Sequence, residues 1–310
     1  MSDLAGQPLS TPPQRRDGRA AAAAISVASN TGLTLAKLAV AWVTNSVSIL
    51  SEGMHSALDL LAALMAFFAV RRSRQRPDRD HQFGHGKFES ISGLVEGALI
   101  VLAVLLIVWR AIARMATGDV HITEARLGLA VMAVSAVVNL FVSRLLFRVA
   151  RRTDSVALEA DAWHLRTDVW TSAGVMAGLA AITLGERIGF AEAAHLDPLI
   201  AIVVTMVILR AAWGIMRRSW DHLVDRSLPA SEVDQIQSLL RDHYPRFADY
   251  HRLRTRKAGS QRYIDLHLVV PGGQSVAEAH ALCDHLESDL TALLPHSEVM
   301  IHVEPEGNHD

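Results

Sequence analysis

Residues 47–70 read VSILSEGMHSALDLLAALMAFFAV, an apolar stretch in which His55 and Asp59 stand four positions apart. About 20 apolar residues are enough for a helix to cross the hydrocarbon core of a bilayer. Residues at positions i and i+4 lie on the same face of a helix, one turn apart. Ionisable side chains are costly inside a membrane and commonly mark a functional site. The stretch therefore predicts a transmembrane helix that presents an imidazole and a carboxylate on one face.

Five further stretches have the length and apolar character of a membrane span. They cover about residues 20–43, 90–113, 123–147, 156–184 and 196–216. Basic residues collect before the first span and after the second, fourth and sixth, and positive loops favour the cytoplasmic side. The first stretch is too long for the apolar region of a signal peptide, and no convincing cleavage site follows it. We expect six transmembrane helices with both termini in the cytoplasm.

The sequence becomes polar and rich in histidine from Asp221 onward. Its patterns predict two helices and three strands, at about residues 230–243 (helix), 249–257 and 262–270 (strands), 275–293 (helix) and 298–304 (strand). This α-β-β-α-β order predicts a small α+β domain of the ferredoxin-like type, with its helices on one face of the sheet. We therefore divide the chain into a flexible leader (1–18), a six-helix transmembrane domain (19–220) and a cytoplasmic domain (221–310).

Composition narrows the class of protein. A formal net charge of −2 provides no broad basic field, which weighs against a nucleic-acid partner. The single cysteine, Cys283, excludes an internal disulfide framework and a cysteine-based zinc finger. It also fits a soluble part that faces a reducing compartment.

The pattern of His55 and Asp59 recurs in the fifth span, where the sequence WHLRTD provides His164 and Asp168. If the two helix faces meet, two imidazole nitrogens and two carboxylate oxygens surround one point. Such a tetrahedral set suits Zn²⁺, and two ionised aspartates cancel the charge of a divalent cation. The alternative is that each pair makes a local polar contact or a helix-packing hydrogen bond.

A second candidate metal site lies in the loop between the second and third spans, RPDRDHQFGHGKFES. Asp78, His81 and His85 supply one carboxylate and two imidazoles within eight residues. Gly84 and Gly86 allow the backbone to fold around a ligand. The alternative is a surface loop whose histidines bind nothing.

A third candidate lies in the cytoplasmic domain, because eight of the fifteen histidines follow residue 240. Alternation along the strands places His267 opposite the apolar face, and it places His302 and Glu304 together on one side of the last strand. His251 on the first strand and His280 on the second helix can reach the same neighbourhood. The alternative is a scatter of surface histidines.

These features together resemble the cation diffusion facilitator family, in particular its bacterial zinc/proton antiporter branch. The resemblance rests on the two HxxxD pairs, the segment FGHGKFES, the six spans and the C-terminal α+β domain. It covers about residues 20 to 306.

The resemblance implies roles for the candidate residues. The transport site would be His55, Asp59, His164 and Asp168. The loop site would be Asp78, His81 and His85. A binuclear cytoplasmic site would consist of His251, His267, His280, His302 and Glu304. A charge interlock at a homodimer interface would be formed by Lys87 and Asp225.

The chain departs from the best-studied branch at two of these positions, where that branch has aspartate and this sequence has His55 and Glu304. An imidazole at position 55 lowers the negative charge of the transport site and favours tetrahedral Zn²⁺ over cations that prefer more oxygen ligands. Glu304 is expected to alter the metal affinity of the cytoplasmic site.

The function implied is that of a Zn²⁺/H⁺ antiporter that exports zinc from the cytoplasm by alternating access. It would be a homodimer in the lipid of a bacterial inner membrane, with zinc as both cargo and regulator and protons as the counter-ion. The alternatives are a transporter that prefers Cd²⁺, Co²⁺, Fe²⁺ or Mn²⁺, a membrane metalloenzyme, and a metal sensor. The sequence contains no HExxH motif, which weighs against the enzyme.

Overall fold

The computed structural model describes residues 18–44, 47–117, 125–188, 196–243 and 246–307. The predicted leader lies outside this part of the chain except for Gly18. Long helices then occupy the six predicted spans: α1 (Arg19–Thr44), α2 (Val47–Ser73), α3 (Lys87–Thr117), α4 (Ala125–Thr153), α5 (Val156–Ile188) and α6 (Leu196–Leu223).

Four helical stretches among the described residues are long and apolar enough to cross a membrane. They are Arg19–Thr44, Glu52–Ser73, Lys87–Leu106 and Ala130–Thr153. Large apolar side chains on their outer surfaces, such as Leu58, Leu61 and Phe68, are exposed, as expected of a surface that faces lipid. The count of six spans remains a prediction.

Small residues allow the helices to approach closely. Ala22 and Ala23 of α1 pack with Ala157 and Ala162 of α5 in a fully buried cluster. On α3, a Cβ atom added at Gly97 would lie 2.5 Å from Cγ of Met216 on α6. The close contact between α3 and α6 therefore depends on the missing side chain at this position.

The cytoplasmic part contains α7 (Ala230–Asp242), β1 (Asp249–Ala258), β2 (Gln261–Val270), α8 (Val276–Leu293) and β3 (Ser297–Pro305). The predicted α-β-β-α-β order is thus observed. The sheet order is β1-β2-β3, with β1 and β2 antiparallel and β2 and β3 parallel. Ile264, Leu266 and Leu268 of β2 form a buried core with Leu240 of α7 and Leu286 of α8.

The two halves meet at the ends of the membrane helices that adjoin the C-terminal α+β domain. Asp154, just after α4, pairs with Lys257 of β1 and lies 3.0 Å from Nη2 of Arg262 on β2. A Cβ atom on Gly86, just before α3, would overlap the carbonyl oxygen of Ala258. This contact holds the loop that carries the second candidate site against the end of β1.

Buried Glu89 at the start of α3 collects hydrogen bonds from three other helices or their ends. Its carboxylate accepts from Nη1 of Arg19 at 2.8 Å and from Oγ of Ser73 at 2.7 Å. Ser155, at the start of α5, donates to the other carboxylate oxygen. Nη1 of Arg19 also donates to Oγ of Ser260 in the β1–β2 turn, at 2.8 Å. The network connects four membrane helices to the cytoplasmic domain.

Candidate metal sites

Helices α2 and α5 bring three of the four predicted transport-site residues together. Oδ1 of Asp59 lies 3.1 Å from Nε2 of His164. One ligand atom each from Asp59, His164 and Asp168 lies within 4.8 Å of the others. The predicted meeting of the two polar helix faces is therefore observed for these three residues.

His55 lies beside this group rather than within it. Its Nε2 atom is 3.9 Å from Oδ1 of Asp59, and its side chain is 53 % exposed. His55 shares the helix face of Asp59 as the sequence predicts, so its imidazole lies next to the Asp59 carboxylate.

Asn139 is a polar neighbour of this site that was not predicted from the sequence. Nδ2 of Asn139 on α4 donates a hydrogen bond to Oδ2 of Asp168, at 3.4 Å. This contact orients the carboxylate from outside the ligand set. The available signal was an amide in the middle of an apolar span.

Two further buried carboxylates lie near the intramembrane group. Glu96 on α3 is fully buried, and Asp161 stands one turn before His164 on α5. Among the described residues, both carboxylate oxygens of Glu96 and Oδ2 of Asp161 are buried without a hydrogen-bond partner. The sequence alone left the roles of both residues open.

The loop before α3 brings together all three residues of its predicted site. Oδ1 of Asp78 lies 3.4 Å from Nδ1 of His81, and Oδ2 of Asp78 lies 3.2 Å from Nε2 of His85. The backbone N–H groups of His81 and Asp80 donate to Asp78 and lower the pKa of its carboxyl. An ionised carboxylate is thus available beside two imidazoles.

The imidazole of His85 in this loop is buried without full hydrogen bonding. The side chain is fully buried, and within the described part of the chain Nδ1 has no hydrogen-bond partner, while Nε2 meets Oδ2 of Asp78 only as a close contact without hydrogen-bond geometry. A buried polar group without a partner costs about 1–3 kcal/mol. A metal ion bound by this imidazole would remove that cost, so the loop fits a metal.

The sheet register gathers four of the five predicted cytoplasmic ligands. His251 pairs with His267 across β1 and β2, and His267 pairs with His302 across β2 and β3. Oε1 of Glu304 lies 2.6 Å from Nδ1 of His267, and Oε2 lies 3.3 Å from Nε2 of His251. The hydrogen bond from His267 lowers the pKa of Glu304. His302 follows at the edge, with Nε2 3.6 Å from Oε1 of Glu304.

The fifth predicted ligand, His280, is not part of the sheet group. It lies on α8, its side chain is 76 % exposed, and its Nε2 atom is 3.8 Å from Oδ2 of Asp284 on the same helix. The predicted set therefore divides into four sheet residues and one helix residue within a single chain.

The predicted charge pair is formed within the chain. Nζ of Lys87 lies 3.0 Å from Oδ1 of Asp225 and donates to the carbonyl oxygen of Leu223, at 3.3 Å. Burial opposes ionisation of Asp225, but the hydrogen bond and charge of Lys87 together with those of Arg256 outweigh it and lower the pKa of the carboxyl. The pair connects the start of α3 to the end of α6.

A fourth group of ligand-type side chains was not predicted. His243, at the end of α7, meets His285 and Asp289 of α8, with one ligand atom from each within 4.8 Å of the others. The sequence did offer a signal, because His285 and Asp289 repeat the HxxxD spacing of the membrane helices.

Long apolar helices form a bundle with carboxylates and imidazoles in its interior, and a histidine-rich α+β domain is joined to it. These features define a membrane metal transporter. The comparisons agree: a model of the cation efflux transmembrane domain matches residues 23–224. A second model, ZT_dimer, described as the cation efflux protein cytoplasmic domain, matches residues 228–306. The chain belongs to the cation diffusion facilitator family, as its motifs predict.

Similar proteins cover most of the chain. An uncharacterized transporter of Synechocystis is 35% identical over 269 residues, which span 87% of this chain and 84% of that protein. The cation-efflux pump FieF of Yersinia pestis is 32% identical over 273 residues, 88% of each chain. A solved structure of the zinc form of CzrB is 42% identical and covers 28% of this chain and 98% of its own, with a TM-score of 0.27.

Family membership establishes the general activity. The protein is a divalent metal cation efflux transporter that spans a membrane, and it is not an enzyme. Its cytoplasmic domain is of the type through which cation efflux proteins dimerise.

Proposed function

We propose that this transporter is a Zn²⁺/H⁺ antiporter that exports zinc from the cytoplasm across a bacterial inner membrane. It would act as a homodimer, with six membrane helices, both termini in the cytoplasm and a ferredoxin-like cytoplasmic domain. The proposed limits are a leader at 1–18, a transmembrane domain at 19–220 and a cytoplasmic metal-binding domain at 221–310. The two family matches, at residues 23–224 and 228–306, support a division into two domains close to the second of these limits.

One observation carries the choice of cargo: Oδ1 of Asp59 on α2 lies 3.1 Å from Nε2 of His164 on α5. Ligands about 2.0–2.1 Å from a tetrahedral Zn²⁺ ion lie about 3.3 Å from one another. Asp168 already belongs to this group, and His55 stands next to it. The four side chains would supply two nitrogens and two oxygens, the donor set that suits zinc.

Proton coupling follows from the chemistry of these ligands. A histidine binds zinc as the neutral imidazole and an aspartate binds it as the carboxylate, so zinc loading releases protons. Proton uptake from the opposite side competes for the same atoms and displaces the cargo. Alternating exposure of one site near the membrane midplane would therefore exchange zinc for protons.

The loop and cytoplasmic groups are proposed to hold regulatory zinc. Asp78, His81 and His85 would bind one ion in the loop, which would satisfy the buried His85 ring. The sheet residues His251, His267, His302 and Glu304 would bind zinc in the cytoplasmic domain. His280 lies apart from them within one chain, so as the fifth ligand of a binuclear site it would come from the second chain of the homodimer. Bound zinc would supply positive charge that holds these carboxylates and imidazoles together. The pair of Lys87 and Asp225 is proposed to lie at the homodimer interface.

Zinc flux into proteoliposomes with an imposed pH gradient tests the proposal. Asp59→Asn keeps the shape of the side chain but removes a carboxylate ligand, so we expect loss of zinc flux and of its dependence on the gradient. Asp234→Asn, at an exposed position on α7, is the matched control and should transport normally. Normal zinc flux in Asp59→Asn would reject the site. Flux that carries Cd²⁺, Co²⁺, Fe²⁺ or Mn²⁺ in preference to Zn²⁺ would reject the choice of metal.

A further inference from the structure

We propose that His243, His285 and Asp289 form an additional divalent-cation site that joins α7 to α8. The ligand class is a transition-metal cation that accepts nitrogen and oxygen donors, with Zn²⁺ as the best match. This site is separate from the transport, loop and sheet groups, and the proposal does not depend on which cation the membrane domain carries.

The distances are those of a shared ion. Nε2 of His243 lies 3.1 Å from Oδ2 of Asp289, and Nε2 of His285 lies 3.5 Å from the same oxygen. Two ligands of a tetrahedral Zn²⁺ ion lie about 3.3 Å apart, because each lies about 2.0–2.1 Å from the metal. The two measured distances bracket this value. Three protein ligands leave the fourth position of a tetrahedral ion open to water.

The orientation of His243 adds a second argument. Its Nδ1 atom lies 2.9 Å from the carbonyl oxygen of Leu239, so this nitrogen carries the proton and donates it. In the neutral imidazole, Nε2 then has a lone pair that faces the Asp289 carboxylate, which is also an acceptor. A cation between the two atoms removes this conflict. Metal-binding histidines commonly donate their other ring N–H to a backbone carbonyl in this way.

The position at the helix end also favours positive charge. His243 is the C-cap residue of α7, and the aligned peptide dipoles of a helix give its C-terminal end a partial negative charge. A cation at such an end is stabilised by these dipoles. The electric field at the end of α7 therefore favours a bound cation, in addition to the three ligands.

The new group and the sheet group lie on different layers of the domain. Ile264, Leu266 and Leu268 of β2 pack against the layer formed by α7 and α8. His267 alternates with them and therefore points away from that layer. A metal at His243 would join the two helices, whereas a metal at His267 would join the strands.

Zinc stoichiometry of the purified full-length chain tests the proposal. The protein is dialysed to equilibrium against buffer containing zinc, and metal per chain is measured by elemental analysis. We expect His285→Gln and Asp289→Asn each to bind one zinc ion fewer per chain than the unsubstituted protein. The double variant should also lose only one ion, because both side chains bind the same metal.

His296→Asn is the matched control and should bind the full amount of zinc. His296 is exposed, belongs to none of the four groups, and has a positive φ of 63° that asparagine tolerates. The circular dichroism spectrum checks that each variant is folded. If His285→Gln does not fold, Asp289→Asn, which preserves side-chain shape, provides the test. A full complement of zinc in folded Asp289→Asn would overturn the proposal and leave a proton-bridged ion pair in its place.

Discussion

Replacing Glu89 by glutamine should destabilise this protein much more than the same change at Glu159. Glu89 is fully buried and pairs with Arg19, whose side chain is 8 % exposed, at 2.8 Å. Glu159 pairs with Arg218 at a shorter 2.6 Å, but the side chains are 26 % and 50 % exposed. Distance alone would rank the second pair as the stronger, whereas burial gives the opposite order.

The expected magnitudes follow from solvation. Removing one partner of a buried ion pair costs about 3–5 kcal/mol, because the remaining charge loses its compensation away from water. An exposed pair contributes about 0–1 kcal/mol, since water and salt replace it. Glutamine retains hydrogen-bonding groups that can still meet Ser73 and Ser155, so the Arg19 charge accounts for most of the loss.

Thermal unfolding in detergent, followed by circular dichroism, measures the difference. For domains of 150–250 residues 1 kcal/mol corresponds to about 2–4 °C, so Glu89→Gln should lower the midpoint by roughly 6–20 °C and Glu159→Gln by at most about 4 °C. Equal shifts in the two variants would refute the argument that burial of the Arg19–Glu89 pair holds the helix ends together.

Two further outcomes concern the cytoplasmic domain. The hydrogen bond from Arg262 lowers the pKa of Glu232 below its ordinary 4.5, so the pair stabilises the fold above that pH and its contribution is lost as pH falls through the lowered pKa. Glu232→Gln should therefore flatten the loss of stability between neutral and acid pH in urea titrations, and an unchanged acid profile would contradict this. Leu286→Ala removes a fully buried core side chain and should cost about 2–5 kcal/mol, whereas Val276→Ala at an exposed position should cost little. Similar urea midpoints for these two variants would show that Leu286 does not anchor α8.

Local periodicity predicted much of the secondary structure. Strand β2 was expected at 262–270 and spans Gln261–Val270, and its alternating apolar residues are buried as expected. The second cytoplasmic helix was expected at 275–293 and spans Val276–Leu293. These features depend on neighbours within one turn or one pleat, so the sequence encodes them directly.

The candidate sites also differ in how well the sequence predicts them, because some depend on residues close in the chain and others on distant ones. The loop site was predictable because Asp78, His81 and His85 lie within eight residues, and a short loop brings such residues together. The position of His251 relative to its neighbours was harder to predict from the sequence, because the register of β1 shifts between His251 and Arg254. A bulge of this kind changes which residues face each other and leaves no clear periodic signal.

The sequence by itself determined the apolar runs, the order of helices and strands, and the shared face of His164 and Asp168. Only the tertiary structure decided that His164 meets Asp59, that Asn139 reaches Asp168, and that His280 stands apart from the sheet histidines. It also brought His243 to Asp289 across two helices. The physical reason is that hydrogen-bonded geometry fixes which residues share a face, whereas the packing of distant side chains decides which faces meet.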